Sequence, residues 1–145
     1  MIRLQTLGAL DLRASDGGSL YQILRQPKRL ALLAYLAIEK PGQFHRRDHL
    51  LGLFWPEQDE NRGRAALSQA IHKLRQGLGK DVIINRGDEE IGVDSTQLWC
   101  DAAAFQQQLA DKQFAEAMAL YQGELFPGFF LEESEGFEHW LELKR

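Results

Sequence analysis

The sequence predicts an α+β fold in which a small antiparallel sheet, three helices and a β-hairpin are followed by further helices. Three observations predict it. Apolar and polar residues alternate over positions 2–13, as they do in half-exposed strands. Apolar residues recur at helical spacing in three segments between residues 27 and 78. Two short apolar runs, at 82–84 and 91–93, then flank a glycine-containing turn.

Length and composition restrict the class of protein. The 145 residues are 44% hydrophobic and 26% charged, an ordinary globular composition that suits one average domain or two small cores in series. Cys100 is the only cysteine, which excludes an intramolecular disulfide and a cysteine-rich zinc finger. The stretch from Leu30 to Ile38 is too short to cross a bilayer, and the N-terminus has no secretory apolar region. We therefore expect a cytoplasmic protein.

The net charge of −4 is unevenly distributed along the chain. Residues 1–80 hold 13 Lys and Arg against 7 Asp and Glu, a net charge of +6. Residues 81–145 hold 4 against 14, a net charge of −10. Such asymmetry indicates a basic binding module joined to an acidic segment, although surface charge also fluctuates along any chain.

The N-terminal region is predicted as a small antiparallel sheet. Apolar residues occupy even positions between Ile2 and Leu12, and Asp16-Gly17-Gly18 is a strong turn signal. The segment from Ser19 to Leu24 is interpreted as a further short strand. Pro27 then opens a helix that is apolar on most of its faces and ends at Lys40-Pro41-Gly42.

Two more helices and a hairpin complete the first part of the chain. A short helix is predicted from about Arg46 to Phe54, where Trp55-Pro56 stops it. The next begins after Asp59 or Asn61, either of which can cap it, and ends at Gly79. Its apolar stripe has the spacing of one helix face and consists of Leu67, Ile71, Leu74 and Leu78. A strand, a turn at 85–88 and a second strand follow, within 82–94.

The face of this third helix opposite the stripe is polar and basic. It holds Arg62, Ala65, Gln69, His72 and Gln76, flanked by Asn61, Ser68 and Lys73, with Arg64 and Arg75 nearer the core edge. Six basic residues, counting His72 when protonated, and no acid lie between positions 61 and 80, so we expect no i,i+4 ion pairs on this helix.

Side chains of these types can read DNA bases. Arg can form two hydrogen bonds with guanine, and Asn or Gln can form two with adenine. Ala65 allows close approach or contacts a thymine methyl. A helix–turn–helix pair followed directly by a hairpin is the element order of a winged helix, which places its last helix in the major groove. The alternative is a solvated basic face without a ligand.

Other basic residues are candidate contacts to the DNA backbone. Arg86 is predicted at the hairpin tip, within reach of a minor groove or a phosphate, but the acids at 88–90 would repel phosphate. Arg46 and Arg47, like Lys28 and Arg29, lie near helix starts and could clamp phosphates or simply be exposed.

The second part of the chain is predicted to be helical. Asp101 is expected to cap a helix holding Phe105 and Leu109, and a second helix spans 114–121. A breaker-rich loop at 123–128 precedes a last helix, capped by Ser134, with Phe137, Trp140 and Leu141 pointing inward. That helix is still running at residue 145, so we expect the sequence to come from a longer protein.

No pattern in the chain predicts catalysis or a cofactor. His45 and His49 have i,i+4 spacing, but the segment between them lacks the Glu of a zinc-protease helix and holds two arginines that repel a cation. No serine or cysteine completes a nucleophilic set with Asp48 and His49, and no glycine-rich phosphate loop is present. We therefore expect neither an enzyme nor a bound cofactor or metal.

Several segments resemble a known family. Residues 26–37, 45–50, 53–57 and 64–79 resemble the OmpR-like winged helix of antibiotic regulatory protein (SARP/AfsR-type) transcription activators. Residues 99–101, 120–129 and 137–145, with Phe105, are similar to the opening of the bacterial transcriptional activator domain that follows it in that family. Many members end the wing with Gly-Tyr, whereas this chain has Ile91-Gly92-Val93 preceded by acids, which argues against a DNA contact by the hairpin.

The resemblance implies a DNA-binding domain over 1–96 and the first helices of a TPR-like domain over 97–145. It implies sequence-specific binding to double-stranded DNA, typically as dimers on direct repeats, with the helix at about 60–78 as recognition helix and the hairpin at 82–94 as wing. The loop from Leu53 to Glu60 would face RNA polymerase, and the helices from Phe105 onward would serve self-association or contact further domains. The alternative is a protein-interaction module whose winged helix no longer binds DNA.

Overall fold

The computed structural model describes residues 1–145 and has a mixed α+β fold, as predicted. In chain order the elements are β1 (Ile2–Gln5), β2 (Asp11–Arg13), α1 (Tyr21–Leu24), α2 (Pro27–Ile38), β3 (Phe44–Arg46), α3 (Arg47–Phe54), α4 (Glu60–Leu78), β4 (Ile83–Arg86), β5 (Glu90–Val93), β6 (Leu98–Cys100), α5 (Asp101–Ala110), α6 (Phe114–Leu120) and α7 (Glu135–Lys144). None of the helices combines the length and the apolarity needed to cross a bilayer.

The strands form two sheets of three strands each. In the first, β1 pairs antiparallel with β2 and parallel with β6, so Ile2 lies opposite Leu98. In the second, β5 lies between β3 and β4 and is antiparallel to both. The sequence did not predict β3, or β6 as a third strand of the N-terminal sheet. Each has only three residues and is defined by its pairing partner.

The segment from Ser19 to Leu24 is not the strand that the sequence suggested. Ser19 forms one isolated bridge with Arg13, and the chain then turns into the four-residue helix α1. Ile23 of this helix is buried in the core, and α1 packs against α2 and α4. Burial of Ile23 therefore outweighs the weak local preference for an extended backbone.

The buried residues form one continuous core, so the expectation of two small cores in series is wrong. Helix α2 lies at its centre and is buried from Leu30 to Ile38. The core extends from Ile2 in β1 to Leu141 in α7. It is continuous because β6 joins the N-terminal sheet and α7 packs against α3, which brings the Trp140 ring within 5.0 Å of the Tyr35 ring.

The two caps predicted in the second part of the chain differ from expectation. Asp101 is the first residue of α5 rather than its N-cap, and its buried carboxylate accepts from the backbone N–H groups of Thr6 and Leu7, directly after β1. Ser134 does occupy the N-cap of α7, but its hydroxyl donates to the Phe54 carbonyl instead of capping the helix. In both cases the side chain contacts a partner distant in the chain.

Candidate nucleic-acid interface

Helix α4 is fixed at both ends by signals that the sequence carries. The Asp59 carboxylate accepts the Arg62 N–H at 2.8 Å and so caps the N-terminus. Gly79 ends the helix with a φ of 99°, which favours glycine. The predicted stripe is buried and is joined by Gly63 and Ala70, which allow close packing. The opposite face is consequently held outward by the core.

The predicted polar face of α4 is exposed along its full length. The exposed residues are Asn61, Arg62, Ala65, Ser68, Gln69, His72, Lys73 and Gln76. Among them only the Arg62 side chain has a protein partner, a 3.6 Å ion pair with Asp59. The hydrogen-bonding groups of Gln69, His72 and Lys73 are therefore all available to a ligand.

Arg64 lies at the edge of this face and is compensated by acids. Its guanidinium is 3.0 Å from Glu60 at i−4 and 3.3 Å from Asp48 of α3. The hydrogen bond that Arg64 donates to the Glu60 carboxylate raises the pKa of Arg64. The expectation that α4 has no i,i+4 ion pair is wrong because Glu60, just before the acid-free stretch, is already helical.

Arg75 faces the hairpin rather than solvent. Its Nε and Nη2 donate to the Ile83 carbonyl at 3.1 and 2.9 Å, and Nη2 also donates to Asn85 Oδ1 at 3.1 Å. The same Oδ1 accepts a 3.5 Å hydrogen bond from Arg47, at the start of α3. Asn85 was not singled out from the sequence, since an Asn beside a glycine turn carries no signal beyond the turn itself.

A basic groove runs between α4 and the N-terminus of α2. Its two adjoining parts, of about 290 and 470 Å³, share Gln26 and Arg29. Gln69 lines one part, and Lys73 lines the other. Lys28 lies over the Trp55 ring, with Nζ 5.3 Å from the centroid. Burial lowers the pKa of Lys28, against a raising contribution from Glu133.

The hairpin presents more acid than base. Arg86 is the last residue of β4, just before the Gly87–Glu89 turn, and not at the tip. Its guanidinium makes two hydrogen bonds to the Glu90 carboxylate, at 3.0 and 2.9 Å, and lies 4.6 Å from the Phe44 ring centroid. Asp88 and Glu89 are exposed at the turn. Arg86 is thus already neutralised by its neighbour.

The basic residues at the start of α3 divide into an outer and an inner one. Arg46 is exposed and 3.8 Å from the Asp48 carboxylate. Arg47 is half-buried against the hairpin, and its Nε has no hydrogen-bond acceptor.

The two histidines considered as metal ligands have different surroundings. His45 is buried, whereas His49 Nε2 is 3.0 Å from the Tyr35 hydroxyl.

Comparison with known proteins shows a shared fold. No family model matches the chain, and no curated protein matches it. Among solved structures, it is similar to Mycobacterium tuberculosis EmbR in complex with a low-affinity phosphopeptide, with a TM-score of 0.63 and 20% sequence identity. The likeness covers 98% of this chain and 41% of the EmbR chain, so this chain spans less than half the length of that protein.

Proposed function

We propose that the protein is a sequence-specific DNA-binding transcription regulator, an activator, that inserts α4 into the major groove. The observation that carries the proposal is the exposed face of α4, where Gln69, His72 and Lys73 have no partner within the chain. A helix face rich in amide, imidazole and ammonium groups suits base edges and phosphates. A SARP-like fold, supported by the likeness to EmbR, agrees with this proposal.

The proposed winged helix occupies residues 1–96, with β4 and β5 as its wing. Residues 97–145 are proposed as the start of a TPR-like domain. Strand β6 begins this second part yet pairs with β1, so the two proposed domains share a sheet. We further propose that the protein is cytoplasmic and acts without enzymatic activity.

The phosphate backbone is proposed to lie along the basic groove. Lys28 and Arg29 border it from α2, and Lys73 borders it from α4. None of these three side chains forms an ion pair with a carboxylate, so each can neutralise a phosphate. Arg46 is proposed as a further phosphate contact at the start of α3.

Two further surfaces are proposed as protein contacts. The segment from Leu53 to Glu60 is proposed to face RNA polymerase; it comprises the end of α3, the connection at 55–59 and the first residue of α4. Helix α6 exposes Phe114 and Met118 to solvent, beside Tyr121 at its C-cap. Large apolar side chains grouped on one exposed helix are typical of a protein contact, which we propose to be self-association or packing of further domains.

One observation favours a second candidate function. Glu90 neutralises Arg86, and the turn beyond it carries exposed Asp88 and Glu89, so the hairpin offers DNA no free positive charge. A protein-interaction module that has lost DNA binding would tolerate this arrangement. The uncompensated basic groove beside α4 favours the first candidate.

A selection experiment separates the two candidates. The 145-residue chain would be incubated with a random duplex library, and bound DNA would be sequenced after successive rounds. We expect the selection to enrich one short motif. The logarithm of the affinity for that motif should then fall linearly with the logarithm of the salt concentration. Failure to enrich any motif, together with salt-independent or undetectable binding, would overturn the DNA-binding candidate and leave the interaction module.

A further inference from the structure

The guanidinium of Arg75 connects the proposed recognition helix to the free edge of a sheet. Strand β4 is the outermost strand of its sheet, with β5 on one side only. Arg75 donates from Nε and Nη2 to the carbonyl of Ile83 in this edge strand, at 3.1 and 2.9 Å. An edge carbonyl that would otherwise need water is thereby bound to α4.

The side-chain amide of Asn85 connects a third element, α3, to this contact between α4 and β4. Its Oδ1 accepts from Arg75 Nη2 at 3.1 Å and from Arg47 Nη2 at 3.5 Å. Arg47 is the first residue of α3, and its backbone N–H donates to the Glu89 carbonyl in the hairpin turn at 2.8 Å. One side-chain oxygen therefore lies where α3, α4 and the hairpin meet.

The sequence placed Arg75 among the DNA contacts, but its donors are largely committed. Nε and Nη2 make three hydrogen bonds within the chain, and the side chain is half-buried. Turning Nε and Nη2 toward a base edge would break those bonds and leave the Ile83 carbonyl without its partner. A planar fork that spans two acceptors is also a geometry that lysine cannot reproduce.

We propose that Arg75 is a positioning residue that fixes the hairpin and the start of α3 against α4, so that these elements meet DNA as one rigid surface. Its contribution is to specificity, because base contacts along α4 require the helix to be held at one depth and angle in the groove. This inference rests on the proposed function, since it assumes that α4 is the element that reads DNA.

The test compares Arg75→Gln with Lys73→Gln, two substitutions that each remove one positive charge from α4. Binding to the motif selected from the library and to a scrambled duplex of equal length would be measured over a salt series. We expect Arg75→Gln to lower the ratio of specific to non-specific affinity about tenfold while leaving the salt slope unchanged. We expect Lys73→Gln to lower the slope and to weaken both duplexes equally.

A second substitution tests whether Arg75 acts through Asn85. Asn85→Ala should reduce the specificity ratio in the same direction, and the Arg75→Gln/Asn85→Ala double variant should lose less than the sum of the two, as expected for coupled residues. Measurements well below the unfolding temperature separate this effect from a loss of stability, which would not change the ratio. The proposal would be overturned if Arg75→Gln reduced the salt slope and if the effects of the two substitutions on the specificity ratio were additive. Arg75 would then be interpreted as a phosphate contact.

Hydrogen exchange makes the test independent of DNA. If Arg75 holds the hairpin, Arg75→Gln should increase the exchange rate of backbone amides in β4 relative to those at the centre of α4. If the unmodified chain bound no DNA, the proposed function would fail, yet this difference would still report on the contact between helix and hairpin. Unchanged exchange in β4 would contradict the positioning role itself.

Discussion

The carboxylate of Asp101 accepts two hydrogen bonds from the backbone N–H of Thr6, at 2.8 and 3.0 Å, and a third from the Thr6 hydroxyl at 2.8 Å. It also accepts from the N–H groups of Leu7, at 3.0 Å, and Ala102, at 2.8 Å. Both Asp101 and Thr6 are buried. A single side chain thus joins the end of the first strand to the start of α5, at the junction of the two proposed domains.

Asp101→Asn is expected to destabilise the protein strongly. An amide keeps one acceptor oxygen and turns its NH₂ group toward backbone N–H donors, so buried donors lose their acceptor. We expect a loss of about 2–4 kcal/mol in the free energy of unfolding, measured by urea denaturation. Asp111→Asn is the matched control, since Asp111 is exposed at the end of α5. Equal effects of the two substitutions would contradict the structural role of Asp101.

The sequence predicted the elements with local signals and missed those that depend on distant partners. Helix α4 was predicted with a cap at Asp59 or Asn61, of which the structure uses Asp59, and with its end at Gly79, because stripe, cap and glycine all lie within the helix or next to it. The three-residue strands β3 and β6 are defined by pairing with residues far along the chain, which no local pattern encodes.

Side-chain roles at the candidate interface follow the same division. Helical periodicity was sufficient to predict that Gln69 and Lys73 are exposed. The same periodicity gave Arg75 as a DNA contact, and the hairpin pattern gave Arg86. Neither pattern could predict their partners in the chain, because the Ile83 carbonyl and the Glu90 carboxylate are positioned only by the hairpin register. Helical periodicity predicts which side chains of a helix are exposed, whereas their hydrogen-bond partners depend on how distant elements pack together.

Lys73→Gln should reduce DNA affinity without changing which sequence is preferred. The ammonium of Lys73 lies on the exposed groove wall and has no carboxylate partner, so removing it deletes one phosphate contact. We expect the slope of log affinity against log salt to become shallower by about 0.9. Fluorescence anisotropy with a labelled duplex measures this change. Lys112→Gln removes an equal charge from the α5–α6 turn and should leave the slope as it is; a change of the same size there would indicate an effect of net charge alone.

Gln69→Ala should relax the preference at one base position. The Gln69 amide is exposed on the outer face of α4 and has no hydrogen-bond partner in the chain, which leaves both its donor and its acceptor for an adenine edge. Repeating the library selection with this variant should flatten one column of the motif, equivalent to about tenfold less discrimination at that position. Gln107→Ala on α5 serves as control. An unchanged motif would place base recognition on other residues of α4.

Arg86→Gln should change DNA affinity by less than about twofold, in contrast to Lys73→Gln, because Glu90 already neutralises the guanidinium. The informative partner substitution is Glu90→Gln, which frees the positive charge at the hairpin. We expect it to strengthen binding to any duplex and to steepen the salt slope by up to about 0.9. A large loss of affinity in Arg86→Gln would instead mean that the ion pair with Glu90 opens when DNA binds.

His45 should make the stability of the fold sensitive to mild acid. Burial lowers the pKa of this imidazole below its ordinary value of 6.5, against raising contributions from the Glu39 backbone and carboxylate, and its Nε2 has no partner. Because the unfolded chain then binds the proton more readily than the folded one, His45 contributes full stability above its unfolded pKa and loses it as the pH falls below about 6.5. His45→Gln should therefore show a smaller decrease in unfolding free energy than the unmodified chain between about pH 7.5 and pH 5.5. His72→Gln, at an exposed position on α4, should retain the full decrease, and parallel curves for all three proteins would show that the proton is bound elsewhere.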